Sequence, residues 1–340
     1  MDKYFYFDDI FQDYTKYSLK IPKNMYLKSG LYPIIDQGKE EIAGYSDKNI
    51  NIFDKIPVII FGDHTRIFKY VDYPFFLGAD GVKILKNTSS LFLDKYLYYS
   101  LKNFKIPNTG YNRHFKWLKD FKIKHISLAK QEKIVSLIEK IEYFILKKKE
   151  QLKYLKKLNK SLFTRMFGDI KTNNKNWEIN YWKDVLNIKN GKNQKQVEDK
   201  NGKYPIYGSG GIIGYSNAYI CNENTIIIGR KGNINKPILV KEKFWNVDTA
   251  FGLETKRDKI SYYYLYYFCL FYNFEIHNKA VTIPSLIKSD LEKILLPVPP
   301  IELQNKFAKK IEKIEKLSFI ISLVILKIFE ILKKKGVENN

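Results

Sequence analysis

The sequence predicts a mixed α/β (α+β) fold: two tandem modules, each followed by a long helix, the two helices pairing as an antiparallel coiled coil about a pseudo-twofold internal repeat. Three observations predict it. Two stretches carry a heptad seam, the segments before them repeat one another in order, and each repeat mixes short β-branched runs with an aromatic-rich helical segment.

The first seam lies in Gln131–Asp169. Ile134, Ile138, Ile141, Ile145, Leu152, Leu155, Leu162 and Met166 alternate steps of four and three, with Lys148 and Asn159 filling the two missing places. That spacing is the pattern of a helix packed lengthwise on another helix, and Ile134 to Met166 would span roughly 50 Å. A lone helix with so narrow an apolar stripe is marginal in water and requires a partner. Near the C-terminus Phe307, Ile311, Ile314, Ser318, Ile321, Ile325, Ile328 and Leu332 repeat the alternation and supply one.

The duplication extends upstream. Tyr32-Pro-Ile faces Tyr204-Pro-Ile and Gly44-Tyr-Ser faces Gly214-Tyr-Ser, about 170 residues apart. Asp9-Ile-Phe faces Asp184-Val-Leu, Pro57–His64 faces Thr225–Lys231, the aromatic segment from Asp94 faces that from Ile260, and Gln131 faces Gln304. Short β-branched runs separated by Gly/Asn-rich turns suggest a twisted, largely antiparallel sheet in each module, with the aromatic segments as helices. The expected organisation is a first module over 1–130, a long helix over 131–169, a second module over 170–300 and a second long helix over 301–340. Gly168 marks a helix C-cap, and Pro299-Pro300 mark a helix start.

Composition bounds the function. Fifty-nine basic against 36 acidic residues give a formal charge of +23. That excess suits a polyanion, first nucleic acid and second an anionic membrane surface. A codon bias toward Lys, Asn, Ile, Tyr and Phe would also inflate the lysine count, so charge alone does not decide. Only Cys221 and Cys269 occur, with no CxxC pair and four scattered histidines. A disulfide framework or structural zinc is not expected, and a reducing cytoplasm fits. The start shows no signal peptide pattern. The most apolar window, Leu317–Leu332, contains Lys327 and Glu330 and falls short of the ~20 apolar residues of a span, so no membrane partner is expected.

Catalytic motifs are few. Gly208-Ser209-Gly-Gly-Ile-Ile-Gly214 lacks glycine where a dinucleotide fingerprint needs it and reads as a tight sheet turn. A magnesium nuclease pattern can be matched at Asp248, Glu254 and Lys256, but acidic-x-Lys triplets recur in a chain that is 28% charged. That match defines the alternative reading, a nuclease or fused-type restriction component with its own metal site. The loop Gly229–Lys236 is more telling. A strand run ends in glycine, and Arg230, Lys231, Asn233, Asn235 and Lys236 follow; Arg pairs bidentately with guanine and Asn with adenine. The corresponding loop holds His64 and Arg66, a different polar set at the same place. The expected DNA-contacting set is Arg230, Lys231, Asn233, Asn235, Lys236, Lys192 and Ser209 in module two, with His64, Arg66, Asn112 and Arg113 in module one. The aromatics, 16% of residues, lie mostly in helical runs such as Tyr262–Tyr267 and read as core.

These residues resemble a known pattern. The tandem modules, the run Lys156-Lys-Leu-Asn-Lys-Ser-Leu-Phe-Thr-Arg-Met-Phe-Gly-Asp169, the helix entry Pro299-Pro-Ile-Glu-Leu-Gln304, and the opening Trp177 and Trp182-Lys-Asp-Val-Leu-Asn-Ile-Lys-Asn-Gly-Lys192 resemble the specificity (S) subunit of type I restriction-modification systems. The resemblance covers essentially the whole chain. It implies two target recognition domains, each reading one half of a bipartite site in double-stranded DNA. The helices would serve as spacer and docking surface for two methyltransferase (M) subunits, with restriction (R) subunits joining the complex. It implies a chain with no catalysis and no cofactor of its own, the S-adenosylmethionine, ATP and magnesium chemistry residing in the partners. Two departures stand out. Phe7 occupies the place of Trp182 in module one, and module one reads as trimmed at its start.

Overall fold

A computed structural model describes residues 3–78, 81–256, 258–278 and 280–337, with side chains to Leu332; the last residues of the expected second long helix, 338–340, lie outside the described residues. Two compact units result. The first comprises the chain up to Leu146 with the end of the C-terminal helix from Ile331, and the second comprises Lys147–Glu330.

Module one runs β1 (Tyr4–Tyr6), α1 (Phe7–Ile10), β2 (Phe11–Asp13), β3 (Tyr32–Ile35), β4 (Gly44–Ser46), β5 (Val58–Gly62), β6 (Phe68–Val71), β7 (Phe76–Leu77), β8 (Val82–Asn87), α2 (Asp94–Asn103) and β9 (Lys122–Lys124), and leads into α3 (Leu128–Phe167). Module two repeats the order as β10 (Glu178–Tyr181), α4 (Trp182–Val185), β11 (Leu186–Asn190), β12 (Tyr204–Gly208), β13 (Gly211–Ser216), β14 (Thr225–Gly229), β15 (Ile238–Val240), β16 (Trp245–Asn246), β17 (Ala250–Thr255), α5 (Tyr262–Phe271), α6 (Lys288–Leu291) and β18 (Leu295–Val298), and leads into α7 (Ile301–Val337).

The connectivity is the same in both. A four-stranded antiparallel sheet has the order β2-β8-β5-β6 in module one and β11-β17-β14-β15 in module two. A three-stranded sheet reads β4-β3-β7 or β13-β12-β16, and a two-stranded pair, β1-β9 or β10-β18, closes the module. The expected single, largely antiparallel sheet is therefore three small sheets, each three-stranded one containing a parallel pair, β3-β7 or β12-β16. The Gly-rich run is the expected turn, Gly208 pairing with Gly211 across the β12-β13 hairpin.

The central strands β5 and β14 are buried along their whole length. In module two the core closes over α5, with Tyr263, Tyr264 and Tyr267 buried as expected of core aromatics. Trp182 opens α4 and packs against Phe268 and Phe274. Phe7 opens α1 in the same place and packs on Phe11 and Phe115.

Each long helix begins directly after the closing strand of its module. Gly168 terminates α3 with φ +83°, the left-handed C-cap conformation that glycine adopts without penalty. Within the second unit, Phe163 and Phe167 of α3 pack on Phe307 near the start of α7, while Lys149 lies over Phe329 near its end, so the helices run antiparallel. The α7 seam is turned inward as expected: Phe307, Ile311, Ile321 and Ile325 are buried and Ile314, Ser318, Ile328 and Leu332 half-buried. On α3 the seam holds from Ile138 to Met166, but Ile134 is exposed and Val135 is buried instead. The first turns of α3 face α2 through Gln131, Val135, Glu139 and Glu142, which rotates the buried stripe by one position. Asn159, one of the two seam interruptions, buries an Oδ1 that accepts no hydrogen bond.

Candidate nucleic-acid interface

In both modules the buried central strand ends in glycine and releases a polar loop, Asp63–Ile67 after β5 and Arg230–Pro237 after β14. Glycine is required here for close approach: a Cβ on Gly229 would lie 2.7 Å from the carbonyl oxygen of Asn233, where the loop folds back. A second loop closes on the first. His114 N–H donates to the Asp63 carbonyl in module one, and Leu286 N–H donates to the Arg230 carbonyl in module two, both at 2.9 Å. Asp63 and Arg230 each follow the strand-ending glycine, so the two hydrogen bonds are equivalent. Each module thus carries a lip of two loops at one end of its four-stranded sheet.

The module-one lip is anchored by a buried carboxylate. Asp63 Oδ1 accepts from the N–H groups of His114 and Phe115, both at 2.7 Å, and His114 is fully buried. The segment Pro107–Arg113 stands exposed outside this anchor. The His64 ring stacks on Tyr111 with centroids 4.6 Å apart and planes 10° apart, and its Nδ1 lies 3.2 Å from the Asn112 carbonyl. The Arg66 guanidinium reaches the Ile106 carbonyl at the base of the loop. The lip therefore gathers His64, Arg66, Asn112 and Arg113.

The module-two lip presents Arg230, Lys231, Asn233 and Lys236 to solvent, with Ile234 plugged into the core beneath them. Arg230 lies over the Phe251 ring and donates to the Asp248 carbonyl. Gly232 N–H donates to the Pro284 carbonyl, and Lys231 bridges to Ser285. Asn235 is engaged internally: Oδ1 accepts from Phe274 N–H at 2.8 Å and Nδ2 donates to Asn273. Ser209 sits in the β12-β13 turn, whose Gly210 would bring a Cβ within 3.7 Å of Asn233 Nδ2. Lys192 follows β11 and donates its N–H to the Asn246 carbonyl, at the sheet end where β17 begins.

Asp248, Glu254 and Lys256 do not converge. Ala250 to Glu254 along β17 alone covers roughly 13 Å. Glu254 accepts from Asn222 and faces Lys189, whereas Lys256 donates to the carbonyls of Lys183 and Asp184. No group of acidic, His or Cys side chains suited to a metal ion occurs among the described residues. Among those residues, too, no helix is long and apolar enough to cross a membrane.

Sequence reading missed Tyr111, the anchor Asp63 and the loop 278–285. The last is closed by Asn278, whose Oδ1 accepts from Ala280 and Ser285 N–H, leaving Val281 and Ile283 exposed. The available signal was the repeat itself, since both second loops follow the aromatic helix in the same order.

The scaffold is built twice, with a two-loop lip on each copy. Residues 174–325 match the type I restriction modification DNA specificity domain. The chain is 26% identical over 210 residues to the EcoR124I/EcoR124II specificity subunit of Escherichia coli, covering 58% of this chain and 46% of that protein. It is 25% identical over 228 residues to the MjaIX specificity subunit of Methanocaldococcus jannaschii, covering 56% and 53%. The chain spans about half the length of these relatives. The crystal structure of a type I restriction-modification S subunit from M. genitalium shares the fold, with TM-score 0.67 and 18% identity over 100% of this chain and 96% of that one. So does a chain from work on complex assembly and conformational transition of the type I R-M system, with TM-score 0.59 and 14% identity over 98% and 95%. Over these stretches the chain is similar to specificity subunits of type I restriction-modification systems.

Proposed function

We propose that this chain reads a bipartite sequence in double-stranded DNA, one half through each lip, on behalf of a methyltransferase and restriction complex. The observation that carries the reading is the equivalent pair of lips: one backbone scaffold, two different sets of side chains. His64, Arg66, Asn112 and Arg113 face one half-site; Arg230, Lys231, Asn233 and Lys236, flanked by Lys192 and Ser209, face the other. Phosphate contacts from the basic excess give affinity and salt dependence, and the loop side chains discriminate base edges. Asn235, committed to Asn273 and Phe274, acts by holding the loop rather than by touching bases.

The long helices are the spacer and the docking surface for two methyltransferase subunits, with restriction subunits added to that core. Support comes from the apolar residues that α7 leaves in solvent, among them Phe319, Ile320, Leu323 and Leu326, a stripe of the kind that marks a protein interface. In this reading the chain is non-catalytic and works in the cytoplasm, while its partners carry the S-adenosylmethionine, ATP and magnesium chemistry. Methylome sequencing of the source strain with and without this gene tests the proposal. One split motif, two defined halves with a fixed gap, loses methylation on deletion; if no such motif disappears, the reading fails.

A further inference from the structure

Tyr111 is the most exposed aromatic side chain among the described residues, at 85%, yet its ring is held in place. One face lies on His64 at 4.6 Å. His64 is fixed in turn by its N–H, which donates to Gln37 Oε1 at 3.2 Å, and by its Nδ1 against the Asn112 carbonyl. Behind the ring the loop is tied down by the buried Asp63–His114 anchor. Before it, Gly110 turns the chain at φ +77° with open space around its Cα. Lys105 and Arg113 stand exposed on the same loop. A preset ring with one open face, bordered by cations, has the make-up of a stacking platform for nucleic-acid bases.

We propose that Tyr111 stacks on a base that has left the duplex stack in the half-site read by module one, with His64 as its backing ring. The inference rests on the function proposed above and adds a residue and a mode of contact to it. Bases inside a duplex have both faces covered, so an open tyrosine face gains contact only from an unstacked one. Enzymes that modify a base take it out of the helix, so a target served by a methyltransferase contains a base that leaves the stack. Other strongly exposed aromatics, Tyr143, Tyr154 and Phe319, lie on the long helices and not on a lip. In module two the equivalent loop shows Val281 and Ile283 and no ring, so the contact is confined to one half of the target.

The test uses the full chain assembled with its methyltransferase subunits, measuring initial methylation rates separately at the two halves of the target duplex. Base–aromatic stacking is worth enough that Tyr111→Ala lowers the rate at the module-one half by about 10- to 100-fold, while the other half stays unchanged and reports an intact complex. Tyr111→Phe keeps the ring and stays near the wild-type rate. Equal loss in Tyr111→Ala and Tyr111→Phe would assign the effect to the hydroxyl and overturn stacking, as would wild-type rates at both halves in Tyr111→Ala. A wild-type complex that methylates no split target would remove the underlying reading together with this one.

Discussion

Gln131 and Gln304 make the same three hydrogen bonds. Each is the fourth residue of its long helix and fully buried. Gln131 Oε1 accepts from Leu93 N–H, and its Nε2 donates to the carbonyls of Leu91 and Ile126. Gln304 Oε1 accepts from Ser261 N–H, and its Nε2 donates to the carbonyls of Lys259 and Pro299. Leu93 and Ser261 are the N-cap residues of α2 and α5, so each glutamine stitches a long helix to the start of its module's aromatic helix. Three helical turns later on the same face, Glu142 accepts from Tyr99 and Lys102, and Glu315 accepts from Tyr263 and Lys241. The repeat extends to the joint between module and helix.

That joint is polar and buried, so it tolerates no change of donor pattern. Gln304→Glu keeps the size but sets a carboxylate against the Lys259 and Pro299 carbonyls. It should cost about 2–4 kcal/mol, with Gln304→Leu costing about 1–3 for the groups left unpaired. Urea denaturation of the purified chain measures both, and the glutamate variant is expected to be the weaker.

Trp182 buries an indole N–H that has no hydrogen-bond partner, and module one uses Phe7 in the same place. Trp182→Phe should therefore cost no more than about 1–2 kcal/mol, against about 3–5 for Trp182→Ala, which leaves a cavity between Phe268 and Phe274. Thermal unfolding of the two variants side by side checks the ranking.

The extent to which the sequence revealed this structure follows from what repeats in it. Heptad spacing is a local signal, so the helices and their pairing were legible, as were the glycine-ended strands and the core role of Tyr263, Tyr264 and Tyr267. The rotation of the stripe from Ile134 to Val135 was not, because it depends on where α2 lies. The parallel pairs β3-β7 and β12-β16 join strands distant in sequence and leave no periodic trace. At the lips, Arg230, Lys231 and Asn233 were legible as a polar loop after a strand. Tyr111 was not, because its role depends on His64, which reaches it only through the fold.

Lys69 acts on the module-one lip from a distance. It is 6% exposed, and its ammonium donates to the carbonyls of Asp36 at 2.8 Å and Glu40 at 2.5 Å. Burial pushes its pKa below the usual lysine value, opposed by the nearby charges of Asp36 and Glu41. The segment it holds contains Gln37, which accepts from His64 N–H and from Thr65 Oγ1. Lys69→Met should remove about 2 kcal/mol of stability by stranding two carbonyls. It should also weaken discrimination in one half-site only, read by methylation of targets mutated one half at a time.

Cys221 and Cys269 are both buried. Burial, with Glu254 nearby, pushes the Cys221 thiol up to about 12, and burial pushes Cys269 upward as well. At pH 8 the thiolate fraction of Cys221 is on the order of one in ten thousand. Iodoacetamide should label neither cysteine in the native chain and both after denaturation, as counted by intact mass.

The central claim is that each lip specifies its own half of one split target. Replacing Arg230 and Asn233 together by Ala and mapping genome-wide methylation in a strain carrying only that variant tests it most directly. The account predicts relaxed sequence preference in one half of the motif, with the other half and the gap unchanged. A motif unaltered in both halves, or altered in both at once, would contradict it.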